Sequence, residues 1–300
     1  MEQWIERLVG KGIPCFPNVK GASLTTFGSG GEVKGVLIPK DERELRLSLR
    51  ILADEGVPYR VMGGGSNLLL PDEGYDGAIL RLSALSDWER RGCELIVGAG
   101  VKTATLARIA AEHSLSGWEF ACGIPGEIGG ALRQNAGAFG RMISDTLAEV
   151  TAMTAAGEKV TFSPSEIGFS YHRAAFPMGT ILLSARFRLT IGDRDGIEMT
   201  MREMREKRRR TQPHFPSAGS VFRRVGDTPA ALYIERTGLK GERIGGAELS
   251  PVHCNFIVNR GGARTTEYFA LGEKIREKVR ELCGVSLEYE VERICSRSEP

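Results

Sequence analysis

The fold of this chain is decided by the stretch Gly123-Ile124-Pro125-Gly126-Glu127-Ile128-Gly129-Gly130-Ala131-Leu132-Arg133-Gln134-Asn135-Ala136-Gly137-Ala138-Phe139-Gly140. Ordering glycine costs backbone entropy, so a glycine-rich segment indicates tight turns or a close approach of backbone to a ligand. One proline and one asparagine interrupt the small residues, unlike the composition of a low-complexity linker. The stretch predicts backbone shaped around a flat or phosphorylated cofactor, and the alternative is a glycine-rich turn with no ligand.

Length and composition exclude several classes of protein. The 300 residues suggest two domains, or one large domain with a satellite. A hydrophobic share of 41%, a charged share of 26% and a net charge of +2 argue against disorder and against nucleic-acid binding by bulk charge. No apolar run approaches membrane-spanning length, and the first residues lack the pattern of a signal peptide. We expect a cytoplasmic globular protein without a membrane or nucleic-acid partner.

Cysteine spacing argues against a metal site and against a disulfide framework. The six cysteines are scattered, with no C-x-x-C pair: Cys15, Cys93, Cys122, Cys254, Cys283 and Cys295. We therefore expect no bound metal.

Short apolar runs alternate with helical patterns along the chain. Strands are predicted at 36–38, 59–62, 68–70, 78–82, 94–97, 149–154, 159–162, 180–190, 220–222, 256–258 and 287–291, and helices at 42–55, 103–113, 197–210, 230–237 and 266–282. The basic run 202–210 is interrupted by Glu203, Met204 and Glu206, which favours a solvated helix face over a nucleic-acid patch. We place a domain boundary near this charged helix.

A second glycine-rich loop, Gly63-Gly64-Gly65-Ser66-Asn67, follows the predicted strand 59–62. Consecutive glycines let backbone N–H groups converge on an anion, and Ser66 and Asn67 add side-chain hydrogen bonds. The pattern is neither G-x-G-x-x-G nor a P-loop. Two such loops, each after a strand, predict a pyrophosphate with its ring system and therefore a bound dinucleotide.

With further stretches in the same order, these motifs resemble the UDP-N-acetylenolpyruvoylglucosamine reductase family, flavoenzymes of bacterial cell-wall synthesis. The matching stretches are Val61-Met62-Gly63-Gly64-Gly65-Ser66-Asn67-Leu68-Leu69, Gly123-Ile124-Pro125-Gly126 through Asn135-Ala136-Gly137-Ala138-Phe139-Gly140, Pro216-Ser217-Ala218-Gly219-Ser220-Val221-Phe222, Thr237-Gly238-Leu239-Lys240-Gly241, Gly245-Gly246-Ala247, His253-Cys254-Asn255-Phe256-Ile257-Val258-Asn259 and Leu287-Glu288-Tyr289-Glu290-Val291. They extend over about residues 22–294. One motif could arise by chance, whereas the ordered set is specific.

The resemblance implies an α+β fold in which a two-part FAD-binding domain of the vanillyl-alcohol-oxidase type precedes a smaller α+β substrate domain. The implied bounds are an N-terminal helical segment at 1–22, the FAD-binding domain at 23–193 and the substrate domain at 194–300. FAD is expected to bind non-covalently and NADPH to serve as co-substrate. The residues implied to bind the cofactor are Gly63, Gly64, Gly65, Ser66, Asn67, Gly123, Ile124, Pro125, Gly129, Gly130, Asn135 and Ala136.

The implied reaction converts the enolpyruvyl ether of UDP-N-acetylglucosamine to UDP-N-acetylmuramate. Hydride from flavin N5 adds to the terminal carbon, and negative charge builds on the conjugated carboxylate, where a cation or a carboxylic acid stabilises it. A hydroxyl then delivers a proton to the adjacent carbon. By motif, Ser220 is the proton donor and Glu290 pairs with the substrate carboxylate. Without the resemblance, Ser220 would be a turn serine and Glu290 a surface strand residue.

The third catalytic residue of the family is the Arg of a Y-R-x-S-x-F pattern. Here the chain reads Phe169-Ser170-Tyr171-His172-Arg173-Ala174-Ala175-Phe176, so that an ungapped alignment puts His172 at the Arg position. An arginine keeps its charge and its bidentate fork at any working pH, whereas a histidine is largely neutral. We predict that Arg173 serves after a small backbone adjustment, and His172 is the alternative.

Further residues are implied to contact the substrate. They are Tyr171, Arg224, Glu248, His253 and Asn255. Two of these positions depart from the family pattern, because Arg223-Arg224-Val225 replaces Lys-Asn-Pro and Glu248 replaces a Gln. The short segment between Tyr171 and Ser220 matches the subtype that lacks a substrate-capping insertion. We expect a monomer.

Two other functions are compatible with parts of this pattern. One is an FAD oxidase or dehydrogenase with the same cofactor domain and another substrate. The other is a non-catalytic UDP-sugar-binding protein with a degenerate site, since fold does not fix function. The motifs around Ser220, His253 and Glu290 favour the reductase.

Overall fold

The computed structural model describes residues 2–295, which form helices and strands in mixed order. The helices are α1 Gln3–Val9, α2 Glu42–Asp54, α3 Thr103–Glu112, α4 Ile128–Arg133, α5 Pro164–Ile167, α6 Arg194–Thr211, α7 Ala230–Glu235 and α8 Thr265–Cys283. The strands are β1 Cys15–Lys20, β2 Glu32–Leu37, β3 Tyr59–Val61, β4 Leu68–Leu69, β5 Tyr75–Leu80, β6 Trp88–Arg91, β7 Glu94–Gly98, β8 Leu115–Ser116, β9 Gly137–Ala138, β10 Arg141–Met142, β11 Leu147–Met153, β12 Lys159–Phe162, β13 Ile181–Arg188, β14 Thr190–Ile191, β15 Ser217–Ser220, β16 Arg243–Ile244, β17 Ala247–Leu249, β18 Phe256–Asn259 and β19 Glu292–Arg293.

The chain forms two compact units, each built from separated segments. Unit 1 comprises residues 1–17, 35–64 and 78–208, and unit 2 comprises residues 18–34, 65–77 and 209–300. A four-stranded sheet has the order β1-β2-β5-β3. The contiguous functional domains expected from the sequence stay a prediction.

Unit 1 is organised by a five-stranded antiparallel sheet with the order β12-β11-β13-β7-β6. Its buried face includes Phe187 of β13, which meets Trp118 edge-on at 4.8 Å between ring centroids. Burial of large aromatic side chains such as these dominates core stability. A second cluster packs α1 and α2 through Trp4, Leu8 and Leu45. Ile128 and Leu132 of the glycine-rich stretch belong to the same cluster as Trp118 and Phe187.

Unit 2 has its own antiparallel sheet, with the order β15-β18-β17-β16, and a core beneath α8. The Tyr268 ring of α8 lies edge-on to Phe27, at 5.0 Å between centroids. Asp72 satisfies the first backbone donors of α8, because its carboxylate accepts from the N–H groups of Thr265 at 2.7 Å and Thr266 at 2.9 Å. Such acceptors stabilise the start of a helix.

The structure confirms most predicted elements and corrects some. The predicted strand 287–291 is wrong: an isolated bridge joins Phe222 and Tyr289, and the regular strand is β19. The predicted strand 220–222 is shifted, since pairing with β18 covers Ser217–Ser220. Only residues 3–9 of the N-terminal segment are α-helical, because Cys15–Lys20 joins a sheet. The unpredicted strand β6 is fully exposed, so it carries no apolar alternation, and it forms by pairing with β7.

Membrane-spanning helices and clusters of metal ligands are both absent from the part of the chain that the structure describes. Between residues 2 and 295, no helix is long and apolar enough to cross a membrane. Within the same range, no group of three or more His, Cys, Asp or Glu side chains is arranged to hold a metal ion. All six cysteines are free thiols.

Candidate active site

The glycine-rich stretch of unit 1 is fixed through its backbone. Its first part leaves a 3₁₀ turn at Glu119–Gly123, and the Thr103 hydroxyl donates to the Ile124 carbonyl at 2.5 Å. The Thr103 N–H donates to the Gly126 carbonyl at 3.2 Å, and the Gly129 N–H donates to the Ala99 carbonyl at 2.9 Å. A buried polar backbone requires such partners. The loop is therefore held in one conformation by neighbouring backbone and not by its own side chains.

Gly63 and Gly64 of the first glycine-rich loop lie against this stretch. A β-carbon on Gly64 would lie 3.0 Å from the α-carbon of Gly126, which is too close for a side chain without a shift of the backbone. A β-carbon on Gly129 would lie 3.1 Å from that of Ala99. Glycine at these two positions is explained by close contact within the protein.

Gly130 has a different environment. Outside its own helix and its chain neighbours, a β-carbon there would meet no described atom within 4 Å, so the protein leaves room for a side chain. The backbone nitrogen of Gly130 lies 3.9 Å from the position of a β-carbon on Gly63, which places Gly130 beside the first glycine-rich loop. This cradle, formed by Gly63, Gly64, residues 123–126 and Gly130, fits the flat or phosphorylated cofactor expected from the sequence, because most of its residues are glycines that permit a close approach to the backbone.

Glu127 introduces a carboxylate into the cradle. It is 6% exposed, and its Oε1 lies 3.5 Å from Nη2 of Arg81. Burial raises the pKa of Glu127, and the charges of Arg81 and Lys102 offset that rise only in part.

Asn135 and Ala136 make their polar contacts inside unit 1. Asn135 is buried in the left-handed region at φ 40°. Its Nδ2 donates to the Ser170 carbonyl at 2.8 Å, and its Oδ1 accepts from the Ser144 N–H at 3.3 Å. The Ala136 carbonyl accepts from the Ile143 N–H at 2.9 Å. These contacts let Asn135 position the turn that begins at Ser170.

That turn carries the displaced arginine. Ser170 and Arg173 exchange backbone hydrogen bonds of 2.9 and 3.1 Å, so Tyr171 and His172 form the two corner residues. His172 has φ 49°, which is uncommon for a residue with a side chain, and its ring centroid lies 4.3 Å from that of Tyr171 in a tilted arrangement. The Arg173 side chain is exposed, while that of His172 is half-buried. Both residues stay candidates for the family's arginine position.

In unit 2, backbone and amide contacts determine the position of Ser220. Asn255 is buried, and its amide holds both polar groups of the Phe222 backbone, accepting from the N–H at 3.0 Å and donating to the carbonyl at 2.9 Å. The Val221 N–H donates to the Asn255 carbonyl at 2.8 Å. The preceding Gly219 has φ 79°. Ser220 therefore ends β15, between a glycine with positive φ and the hydrogen-bonded residues Val221 and Phe222.

Glu290 belongs to the same small network. Its N–H donates to the Val221 carbonyl at 2.8 Å, next to the bridge between Phe222 and Tyr289. Asn67 donates from Nδ2 to the Glu290 carbonyl at 3.0 Å, and the Asn67 carbonyl accepts from the Glu292 N–H at 2.9 Å. The structure thus brings the chain at Ser220, the chain at Glu290 and the end of the first glycine-rich loop together within unit 2.

The remaining predicted substrate residues have local partners. Burial lowers the pKa of His253, whose Nδ1 accepts from the Asn255 N–H at 3.3 Å and is therefore unprotonated. Arg224 donates to the Asp227 carbonyl at 3.1 Å. Glu248 is buried and pairs with Arg243 and, at 3.6 Å, with Arg260. In the structure, then, the Glu248 carboxylate is ion-paired within unit 2.

Sequence reasoning missed Thr26. Its hydroxyl donates to the Ser217 carbonyl at 2.6 Å, and its N–H donates to the Gly65 carbonyl at 2.9 Å, so it joins β15 to the first glycine-rich loop. The sequence around it, Leu24-Thr25-Thr26-Phe27, contains no turn or cofactor signature that would single it out.

Two family models and named relatives match this chain. Residues 212–294 match the family model for the UDP-N-acetylenolpyruvoylglucosamine reductase C-terminal domain, and residues 33–163 match the model for an FAD binding domain. A UDP-N-acetylenolpyruvoylglucosamine reductase of Exiguobacterium sibiricum is 41% identical over 264 residues, which is 87% of each chain.

Two solved structures superpose on this chain to different extents. The crystal structure of UDP-N-acetylenolpyruvylglucosamine reductase from Thermus caldophilus superposes with a TM-score of 0.81 at 33% identity, covering 94% of this chain and 98% of that one. Phl p 4.0202, a glucose dehydrogenase, has a TM-score of 0.52 at 15% identity over 74% of this chain and 52% of its own. The second likeness concerns the fold alone.

Proposed function

Since the chain belongs to the UDP-N-acetylenolpyruvoylglucosamine reductase family, we propose that it reduces the enolpyruvyl ether with NADPH as reductant and Ser220 as proton donor. It is an FAD-dependent oxidoreductase of peptidoglycan precursor synthesis. We further propose that it acts as a cytoplasmic monomer and that residues 194–300 hold the UDP-sugar.

The observation that carries the proposal is the network around Ser220 and Glu290. The two residues flank one backbone bridge, so their α-carbons are held in a fixed relation by the Asn255 and Asn67 amides. A positioned hydroxyl is what proton delivery to carbon requires, since general acids act only within hydrogen-bond reach. Preorganised groups of this kind lower the barrier without reorganising during the reaction.

Each residue then has one task. When bound, FAD supplies the hydride for the terminal carbon of the enolpyruvyl group. Glu290 pairs with the carboxyl group of the substrate, as the family motif implies. Arg173 or His172 contacts the enolate-like carboxylate, and Ser220 places its proton on the adjacent carbon.

The cradle of unit 1 supports the cofactor part of the proposal. Gly63, Gly64, residues 123–126 and Gly130 would lie along FAD, where bare backbone permits close approach. Asn135 would act by positioning its neighbours, since its side-chain amide already has partners in unit 1. Ala136 would offer FAD only a small apolar surface, since its N–H and carbonyl are both hydrogen-bonded within unit 1.

The test measures two half-reactions with FAD-loaded protein. In Ser220→Ala we expect reduction of the flavin by NADPH at an unchanged rate and turnover of the enolpyruvyl substrate reduced by at least about a hundredfold, in the range typical of a lost general acid. Ser217→Ala, on the same strand, is the matched control and should leave both steps intact. Loss of flavin reduction in Ser220→Ala, or wild-type protein without substrate-dependent NADPH oxidation, would overturn the assignment.

His172→Ala and Arg173→Ala, measured separately, decide which residue serves the carboxylate. The serving residue is expected to lose substrate turnover while keeping flavin reduction, and the other variant is expected to lose little. Turnover at the wild-type rate in both variants would contradict a catalytic role for the turn at Tyr171.

A further inference from the structure

Arg208 of α6 departs from the solvated face of that helix. The basic run around it is mostly exposed, as predicted, but Arg208 is half-buried. Its side chain crosses Gly123: a β-carbon on that glycine would lie 2.7 Å from Cδ and 3.1 Å from Nε of Arg208. The absence of a side chain at Gly123 therefore makes room for this arginine in the cradle.

Packing of α6 determines this placement. Ile197 and Met201, earlier on the same helix, are buried against Ala107, Ala111 and Cys122. The Cys122 thiol donates to the Met201 carbonyl at 3.4 Å. Since Met201 and Arg208 are seven residues apart, they lie on one face of the helix. The buried face of α6 thus presents the Arg208 guanidinium to Gly123, which directly precedes Ile124 and Pro125.

Among the residues that the structure describes, the Arg208 guanidinium has no acidic partner. Across residues 2–295 no hydrogen bond or ion pair involves the Arg208 side chain, whereas Arg186 and Arg194 of unit 1 each pair with a glutamate. Burial lowers the pKa of Arg208, which reflects the cost of removing this charge from water. A half-buried cation usually offsets that cost with an anion.

We propose that Arg208 binds a negatively charged group of FAD. The inference deepens the cofactor part of the proposed function and rests on FAD binding at the cradle. The anionic group is either the diphosphate, which is charged in every redox state, or the isoalloxazine ring, which gains negative charge on reduction. A glycine-rich backbone beside an arginine is suited to the diphosphate and to the reduced ring, because a guanidinium and backbone N–H groups can donate to the same anion.

The test compares Arg208→Gln with Arg209→Gln, the exposed neighbour on the same helix. FAD is removed from the full-length protein, and its dissociation constant is measured by flavin fluorescence at low and high salt, together with the flavin midpoint potential. If Arg208 pairs with the diphosphate, Arg208→Gln weakens binding of oxidised FAD by about tenfold or more and flattens its salt dependence. If Arg208 pairs with the ring, binding of oxidised FAD is unchanged and the midpoint potential falls.

Both results support the proposal, and the two identify the group. An unchanged dissociation constant together with an unchanged potential would overturn it, as would equal effects of Arg209→Gln. Wild-type protein that fails to bind FAD would instead refute the cofactor assignment itself. Circular dichroism of the FAD-free variants checks that they are folded.

Gly123→Ala gives a second test that keeps the arginine. The added methyl group would displace the Arg208 side chain, so FAD binding should weaken in the wild-type background and weaken much less in Arg208→Ala. Full additivity of the two changes would contradict a role for Arg208 and leave only a direct contact of Gly123 with the ligand.

Discussion

The cradle of unit 1 and the Ser220–Glu290 network of unit 2 solve the same problem of precise placement in different ways. In the cradle, glycine is required because backbone meets backbone, as where Gly64 approaches Gly126. In the network, side-chain amides of Asn67 and Asn255 hold the backbone that carries the reacting groups. We therefore expect the cradle to be disturbed by substitutions that add atoms, and the network by substitutions that remove a side-chain amide.

The largest effect is expected where an amide is removed from the network. Asn255→Ala would leave the N–H and the carbonyl of the buried Phe222 without that partner, at a cost of about 2 to 4 kcal/mol in unfolding free energy. Turnover should fall as well, because Ser220 lies two residues before Phe222. Chemical denaturation measures the first effect and NADPH oxidation the second.

Comparison with Ser220→Ala makes this prediction specific. Ser220→Ala should lose turnover with little change in stability, whereas Asn255→Ala should lose both. FAD affinity should change little in Asn255→Ala. A stable but inactive Asn255→Ala protein would show that the main role of Asn255 is to contact the substrate, as the sequence predicts. Its hydrogen bonds to the Phe222 backbone would then contribute little to stability.

The same contrast explains what can be predicted from the sequence. Glycine patterns indicate directly where the backbone must turn tightly or approach a ligand, so the sequence alone predicts one cofactor site from residues 63–67 and 123–140. Apolar periodicity likewise predicts α2, α3 and α8 to within a few residues. These signals are local in sequence.

Network residues act over long sequence separations and leave weaker signals. Thr26 and Ser217 are 191 positions apart, and no local pattern connects them. In sequence, Arg208 resembles its solvated neighbours, because the glycine that admits it lies on a different segment. The strand predicted at 287–291 is wrong for a related reason: its apolar residues Leu287 and Val291 are buried in the core of unit 2, but ladder pairing is replaced by one bridge.

An intermediate effect is expected where one methyl group is added to the cradle. Gly130→Ala should raise the stability of the FAD-free protein by about 0.5–1 kcal/mol, because alanine favours the helix α4 and finds open space. It should weaken FAD binding by about tenfold, equivalent to roughly 1.4 kcal/mol. Thermal unfolding and flavin fluorescence measure the two effects.

Gly129→Ala is the matched control for Gly130→Ala. Its β-carbon would press on Ala99 at 3.1 Å, so the FAD-free protein should be destabilised. If Gly130→Ala leaves FAD binding unchanged, the open space beside Gly130 does not face the cofactor, and Gly130 is not part of the FAD site.

The smallest effect concerns Glu127, whose carboxylate lies beside Gly63 of the cradle. Because burial raises the pKa of Glu127 in the folded state, folding is favoured by its protonated form. That contribution is fully present below the pKa of an unfolded glutamate and is lost as pH rises through the folded pKa. Glu127→Gln removes the titration, so the Tm of the FAD-free variant minus that of wild type should rise between about pH 4 and pH 7, by on the order of 2 °C. Glu158→Gln, an exposed glutamate of unit 1, controls for the loss of one charge. A Tm difference that falls with rising pH would mean that the pairing with Arg81 outweighs burial, and that the cradle holds Glu127 as a partner of that arginine.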